Sequence, residues 1–476
     1  MNNQQHLLES HLRRDFLRRG LTGIGTLALA NLLAAENRTE APDPLVPRKP
    51  HFAPKAKNVI FLFQEGAPSQ MDLFDPKPGL QKWHGQSLPP EMTRDLKLAF
   101  IKPTAKVLAS PRKFAKYGQC GMELSDMIPE MAKHADDICL VRSMHSEAFN
   151  HHPGQLLLFS GSMIGGRPSM GSWVTYGLGS ETRNLPAFVA LQSGPGTSAG
   201  SDLWSNGFLP SLYQGTVLRT GGDPILYLGN PDGITRESQR ARLDALRDLN
   251  QERQDETGDA EIASRIHSYE LAYRMQMAGP EAVDFSKESP ATIEAYGINS
   301  KDSKAYGTNL LMARRLVERG VRFVLCMHSG WDMHSGINAA MPKLCAQTDK
   351  SSAALLTDLK QRGLLDETLV VWGGEFGRTP MSEIRRPDEA DNAGRDHHPN
   401  GYSIWLAGGG IKTGQVIGET DELGLTITKD KIDVHDLQAT ILHLLGLEHT
   451  QLTYRHLGRN FRLTDVSGQL VKQLLS

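Results

Sequence analysis

The stretch NVIFLFQEGAPSQMDLFDPKP, residues 58–78, decides the fold of this 476-residue chain. Residues 59–63 form a continuous apolar run after Asn58, which is typical of a strand buried on both faces in a parallel sheet. Polar and acidic side chains follow at once, beginning with Gln64 and Glu65. Because the chemistry of open α/β sheets gathers beyond the carboxyl ends of their strands, we expect a functional site to begin here.

Similar apolar runs recur along the chain and alternate with helical patterns. Strands are predicted at 138–141, 187–191, 321–327, 369–372 and 402–406, and helices at 124–135, 154–160, 308–319, 342–362 and 434–445. This alternation predicts an α/β fold with a doubly wound, mostly parallel sheet and helices on both of its faces.

A charged segment at about 236–278 interrupts the alternation. Leu243, Leu246 and Leu249 lie at helical spacing in its first half, and Gly258 separates it from a second helical pattern. We predict an inserted helical hairpin that packs on the main domain. A dimerising arm is the alternative.

The amino terminus has the pattern of an export signal. The adjacent Arg13 and Arg14 precede a weakly apolar stretch at 20–35, which is too short for a stable membrane span. We predict a twin-arginine signal peptide at 1–35, a proline-rich linker at 36–56 and one domain at 57–476. The expected partner is the twin-arginine export machinery, and the expected location is periplasmic or extracellular.

Composition narrows the class of partner. The chain has 52 Lys+Arg and 54 Asp+Glu, and without the predicted signal the net charge is about −4. Such a balance argues against nucleic acid or an anionic membrane as the main partner. The four cysteines are too few for a disulfide scaffold, although one bridge remains open.

Acidic and imidazole side chains recur beside the predicted strand ends. They are Glu65 after the first strand, Asp332 and His334 after strand 321–327, Glu375 after strand 369–372, and His397 and His398 shortly before strand 402–406. A parallel sheet would bring these loops together at one edge. Converging oxygen and nitrogen donors predict a divalent metal site, with Zn²⁺, Mn²⁺ or Ca²⁺ favoured by different ligand mixtures.

Several long motifs occur in a characteristic order. They are GAPSQMDLFDPKP at 66–78, NHHPG at 150–154, GWDMH at 330–334, GEFGRTP at 374–380 and GRDHHPNG at 394–401. This series resembles the bacterial domain-of-unknown-function family 1501. That family looks like a branch of the alkaline-phosphatase and sulfatase superfamily, so the resemblance implies an alkaline-phosphatase-like fold and hydrolysis of phosphate or sulfate esters at a metal site.

The chain departs from the sulfatase pattern at several positions. Gln64 stands where sulfatases have an acid, Phe376 stands where they have an asparagine, and His151 occupies the place of their nucleophile. Attack by water activated at a metal is therefore expected rather than a covalent ester. Ser69 is a second candidate nucleophile, because Gly66, Ala67 and Pro68 are expected to leave its hydroxyl exposed.

The first hypothesis is thus an exported metal-dependent hydrolase of phosphate or sulfate esters. Its predicted metal ligands are Glu65, Asp332, His334, Glu375 and His398, and its catalytic candidates are His151, His397, Ser69 and Arg378. His151 would act as general base or transient nucleophile, and Arg378 or Arg142 would bind the anionic oxygens of the substrate.

The expected substrate is a small anionic ester or a sulfated or phosphorylated glycan. The alternative is a non-catalytic exported binding or assembly protein that keeps the sulfatase-like fold. A third reading, an oxidoreductase, lacks support because the run Gly408-Gly409-Gly410 does not have the spacing of a dinucleotide-binding loop.

Overall fold

The first predicted strand, β1 (Asn58–Glu65), lies inside a large sheet. Its side chains alternate between two apolar cores: Phe61 and Phe63 enter one, and Ile60 and Leu62 enter the other. This computed structural model describes residues 45–94, 96, 98–220, 223–225, 228–384 and 392–476.

The remaining elements follow in chain order. The helices are α1 (Gln70–Leu73), α2 (Pro90–Thr93), α3 (Pro129–Ala132), α4 (His151–Ser160), α5 (Met170–Leu178), α6 (Arg236–Thr257), α7 (Ala260–Val283), α8 (Pro290–Ala295), α9 (Lys304–Val317), α10 (Ile337–Gln361) and α11 (Val434–Leu444). The strands are β2 (Phe114–Tyr117), β3 (Met122–Ser125), β4 (Cys139–His145), β5 (Phe188–Ser193), β6 (Thr216–Leu218), β7 (Phe323–Ser329), β8 (Thr368–Gly373), β9 (Gly377–Glu383), β10 (Gly394–His398), β11 (Asn400–Ala407), β12 (Gln415–Ile417), β13 (Glu419–Thr420), β14 (Ile427–Lys429), β15 (Ile432–Asp433), β16 (Tyr454–His456) and β17 (Arg459–Phe461).

The central sheet has the strand order β12-β4-β11-β8-β1-β7-β5-β6, with β15 beside β4. Strand β11 runs antiparallel to both β4 and β8, whereas the other pairings of this sheet are parallel. The mixed, mostly parallel order confirms the predicted fold class.

Helices cover both faces of the sheet. On one face α4, α5 and α11 pack on the core that contains Phe61 and Phe63, and the ring of Phe159 in α4 lies 5.0 Å from that of Phe61. On the other face α9 and α10 pack on the core that contains Ile60 and Leu62. Each large apolar side chain buried in this way contributes about 1.5–3 kcal/mol.

The helix predicted at 124–135 is wrong over most of its length. Leu124 and Ser125 belong to strand β3, where they pair with Ala115 and Phe114 of β2. Pro129 is favoured at the first position of a helix, and the helix that it begins, α3, has only four residues. Pairing with β2 therefore overrides the helical pattern in this segment.

The predicted helical hairpin is present as α6 and α7. Helix α6 ends at Gly258, which adopts a φ of +67°, and the Asp259 side chain caps α7. Arg240 of α6 forms an ion pair of 2.6 Å with Glu270 of α7. A dimerising role of this hairpin stays a prediction.

The signal predicted at 1–35 and the first part of the linker predicted at 36–56 lie outside the described residues. The described part of that linker packs along the domain rather than extending from it. The amides of Arg48 and Lys55 donate at 2.8 Å to the carbonyls of Leu178 and Leu444, the last residues of α5 and α11. The segment thus satisfies carbonyls that helix ends leave unpaired.

The cysteines of the described chain are all free. Cys120 is exposed, and Cys139, Cys326 and Cys345 are buried. The bridge that the sequence left open is therefore absent from residues 45–476 as far as the structure describes them.

Candidate metal centre

The topology brings the acidic and imidazole loops to one edge of the sheet. Strands β1 and β7 are parallel and in register, with Glu65 beside Ser329, so Glu65 and the loop carrying Asp332 emerge together. Glu375 follows β8 on the other side of β1. Because β11 runs antiparallel, its amino end lies at this same edge and brings the preceding β10, with His397, to the site.

Three imidazoles converge on one carboxylate oxygen. Oδ1 of Asp332 lies 3.0 Å from Nε2 of His151, 2.8 Å from Nε2 of His334 and 3.4 Å from Nε2 of His397. The Nε2 atoms of His334 and His397 are themselves only 3.0 Å apart. These four side chains have potential ligand atoms that all lie within 4.8 Å of one another.

The contact made by Nδ1 of each imidazole ring determines that Nε2 faces the centre. Nδ1 of His151 contacts Oε1 of Glu375 at 2.6 Å, Nδ1 of His334 contacts Oε2 of Glu383, and Nδ1 of His397 contacts the carbonyl of Phe149 at 2.7 Å. Carboxylate and carbonyl oxygens accept, so Nδ1 carries a proton in each ring and Nε2 faces the centre, where it can bind either a second proton or a metal ion. This is the arrangement that orients histidines for metal binding.

The electrostatics of the cluster favour positive charge where the three rings meet. Burial alone would lower the pKa of His151, but the adjacent Asp332 and Glu375 carboxylates raise it to about 9. The pKa of His334 is also raised, because Asp332 and Glu383 outweigh its burial. The pKa of His397 is lowered, chiefly by burial. Burial opposes ionisation of Asp332, yet hydrogen bonds from the three histidines hold its pKa well below the usual range.

Two further carboxylates, Glu65 and Glu375, lie beside His151. Glu65, His151 and Glu375 also have ligand atoms within 4.8 Å of one another. Nε2 of Gln155 donates to both acids, at 3.2 Å to Glu65 and 3.3 Å to Glu375. Burial and the proximity of Glu375 raise the pKa of Glu65 to about 7. Among the described residues, Oε2 of the buried Glu375 has no hydrogen-bond partner.

Two glycines allow these groups to approach. Gly66 has a φ of +103°, and a side-chain Cβ there would lie 2.3 Å from the backbone nitrogen of Asp332. A Cβ on Gly154 would lie 3.2 Å from the ring of Phe376, which contacts the ring of His151. Gly66 therefore cannot carry a side chain while the loops are this close, and a side chain on Gly154 would require a small shift of Phe376.

Arg378 is buried and supports the loops. Its guanidinium donates to the carbonyls of Gly66, Ala67 and Arg395, and Nη2 lies 2.6 Å from Oδ1 of Asp332. These contacts place the guanidinium against Asp332, and the predicted role of Arg378 in binding substrate oxygens stays a prediction. Arg142, the other predicted anion-binding residue, lies with its Nε 3.8 Å from Asp75, outside the cluster.

His398 and Ser69 also lie outside the cluster of His151, Asp332, His334 and His397. His398 is 1% exposed and faces the loop that contains Asp421 and Leu425, where burial lowers its pKa to about 4. Neighbouring residues of a strand face opposite sides, so His397 enters the centre and His398 cannot. The hydroxyl predicted to be exposed on Ser69 is instead buried and donates to Asp72 at 2.5 Å.

Sequence reasoning did not identify Glu383 and Asp396. Glu383 lies at the end of β9, where it pairs with Gly394 of β10. Asp396 directly precedes His397, and both acids have ligand atoms within 4.8 Å of those of His334. Neither follows a strand of the central sheet, so only the position of Asp396 inside the GRDHH motif could have indicated it.

The solved structures that the chain matches share little of its sequence. They include the PsFucS1 sulfatase from Pseudoalteromonas sp. (15% identity, 84% of this chain and 68% of that chain, TM-score 0.35). They also include the lipoteichoic acid synthase LtaP from Listeria monocytogenes (10%, 88% and 78%, 0.39) and alkaline phosphatase from the Antarctic bacterium TAB5 (10%, 83% and 99%, 0.33). Such values leave the chemistry of this chain to its own residues.

No curated protein matches the sequence. Across the described residues, the helices are too short or too polar to cross a membrane. Residues 56–475 match the family described as "Protein of unknown function (DUF1501)", in agreement with the resemblance carried by the GEFGRTP and GRDHHPNG motifs. The chain therefore belongs to the DUF1501 family.

Proposed function

We propose that this protein is a metal-dependent hydrolase of phosphate or sulfate esters, with a cation held by His151, Asp332, His334 and His397. The observation that supports the proposal most strongly is the orientation of the three histidines. Each uses Nδ1 for an acceptor outside the centre and directs Nε2 towards Oδ1 of Asp332. Several lone pairs beside a carboxylate are unfavourable together unless a proton or a cation binds them.

The donor set favours a transition metal. Three imidazole nitrogens and one carboxylate oxygen suit Zn²⁺ and similar ions, whereas Ca²⁺ prefers six to eight oxygens. A divalent ion there would supply Lewis-acid activation of a water or an ester oxygen. The sequence predicts Glu375 and His398 as metal ligands. In this proposal Glu375 instead orients His151, and His398 lies outside the centre.

We assign separate roles in solvent access, proton transfer and metal binding to the residues around the centre. Asp332, whose side chain is 40% exposed, opens the cluster to solvent. Glu65 is a half-buried carboxyl group next to His151, and we assign it the transfer of a proton to or from the reacting ester. His151 contacts carboxylates through both ring nitrogens, which makes it a ligand rather than a free base or nucleophile.

Metal content and turnover of the same samples test this function. The full chain is expected to retain about one equivalent of a transition metal and to hydrolyse p-nitrophenyl phosphate or sulfate in a chelator-sensitive way. His334→Ala should lose both properties. His152→Ala is the matched control, because the neighbouring imidazole binds the Ser198 carbonyl and is no part of the cluster. Full metal content in His334→Ala would refute the ligand assignment.

The alternative suggested by the sequence is a binding protein for a sulfated or phosphorylated glycan. It predicts neither retained metal nor turnover of either ester. The same samples therefore separate the hydrolase from the binding protein.

We also propose export of the folded chain by the twin-arginine machinery to the periplasm or beyond. The motif that supports it is the Arg13-Arg14 pair before the apolar stretch at 20–35. Replacing both arginines by lysine should retain the protein in the cytoplasm, as measured by cell fractionation. Unchanged export of that variant would refute this route.

A further inference from the structure

An exposed aromatic side chain lies beside the metal centre. Phe100 is 59% exposed, which is unusual for so large an apolar residue. Its ring centroid lies 5.4 Å from that of His334 and 5.3 Å from that of His397, in edge-on contacts of 76° and 77°. Phe100 therefore borders the two histidines and keeps much of its ring free.

A buried carboxylate holds this ring in place. Oδ2 of Asp396 accepts the backbone amides of Ala99 at 3.0 Å, Phe100 at 2.9 Å and Ile101 at 3.2 Å. Asp396 is fully buried and directly precedes His397. Three hydrogen bonds to one side-chain oxygen of Asp396 fix the backbone at Phe100 to the strand that supplies a histidine of the centre.

The ring of Phe100 and the centre both reach solvent. Asp332, which contacts His334 and His397, has 40% of its side chain exposed. An ester bound at these two histidines would therefore lie within reach of the exposed Phe100 ring.

We infer that Phe100 is a specificity-determining residue that stacks on a ring carried by the ester oxygen of the substrate. The substrate class is then phosphate or sulfate esters of ring-bearing alcohols, aromatic or sugar, rather than of small acyclic alcohols. This inference rests on the proposed function for its ester group, but the stacking contact is measurable without turnover. Aromatic contacts of this kind change affinity by about 3- to 10-fold.

Binding of non-hydrolysed anions to the zinc-loaded full chain tests the contact by calorimetry. Phenylphosphonate is expected to bind about 3- to 10-fold more tightly than methylphosphonate. Phe100→Ala should reduce this ratio to below 2, and Phe100→Trp should keep it. Tyr269→Ala removes an aromatic ring that is 42% exposed on the helical hairpin and is the matched control.

The methylene phosphonate analogues of glucose 1-phosphate and glycerol 3-phosphate, which have no ester bond to hydrolyse, show in the same assay whether the preferred ring is a sugar. A Phe100-dependent preference for either ring compound supports the inference, even if no ester is hydrolysed and the hydrolase proposal fails. Equal affinities for ring-bearing and acyclic anions in the unmodified chain would overturn the inference while leaving the hydrolase intact. Absence of anion binding, or a ratio unchanged in Phe100→Ala, would also overturn it.

Discussion

Replacement of Glu375 by glutamine separates a metal ligand from a residue that orients one. In the structure Oε1 of Glu375 accepts from Nδ1 of His151 at 2.6 Å, and Nε2 of the same ring faces Asp332. A glutamine carbonyl can still accept from Nδ1 but carries no charge. Glu375→Gln should therefore weaken metal binding without abolishing it.

The size of the effect follows from the position of Glu375 behind His151. Loss of a group that orients a metal-bound histidine typically costs 10- to 100-fold in affinity, about 1.4–2.7 kcal/mol. A metal at about 1,000 times its dissociation constant stabilises a protein by about 4.1 kcal/mol. If affinity falls 100-fold, the same metal concentration stabilises the variant by only about 1.4 kcal/mol.

Competition with a chromophoric chelator measures the affinity, and urea unfolding with and without metal measures the stabilisation. Glu294→Gln, which removes an exposed carboxylate paired with Lys350, is the control and should match the unmodified protein. An unchanged affinity in Glu375→Gln would refute the orienting role. A complete loss of metal would show that Glu375 is itself a ligand.

Three further outcomes follow from the structure. In chelated protein, His398 has a pKa of about 4 because it is buried, so an unfolded chain binds more protons than the folded one between about pH 4 and 6.5. The free energy of unfolding should fall by about 3 kcal/mol for this group as the pH drops through that window. His398→Phe should flatten the pH dependence of the urea midpoint, and parallel plots of midpoint against pH for the variant and the unmodified protein would contradict this. Ser69→Ala should lower stability by about 1 kcal/mol through the lost bond to Asp72 but change turnover less than 2-fold, and a collapse of turnover with intact folding would make Ser69 a nucleophile. Gly66→Ala should lower metal affinity at least 10-fold, because its Cβ would displace the backbone of Asp332; an equal affinity would show that the loops can relax.

The sheet and part of the site were predictable because they follow from local pattern. Glu65, Asp332 and Glu375 each come after a buried apolar run, and the carboxyl ends of parallel strands meet at one edge. The helix predicted at 124–135 failed because pairing of β3 with β2 is a contact that helical spacing does not report.

The choice between His397 and His398 depended on tertiary structure. Strand β10 pairs with β9 through a register shift between Arg395 and His397, and such an irregularity changes which side each following residue faces. Nδ1 of His334 contacts Glu383, which lies in the hairpin of β9 and β10. Nδ1 of His397 contacts the backbone carbonyl of Phe149. No spacing in the sequence encodes either contact.

Anomalous diffraction from crystals of the full chain loaded with zinc tests the central claim most directly. We expect one strong peak among Nε2 of His151, Nε2 of His334, Nε2 of His397 and Oδ1 of Asp332. A peak centred on Glu65 and Glu375 alone, or on His334 with Glu383 and Asp396, would contradict the assignment. So would crystals that hold no zinc at this edge of the sheet.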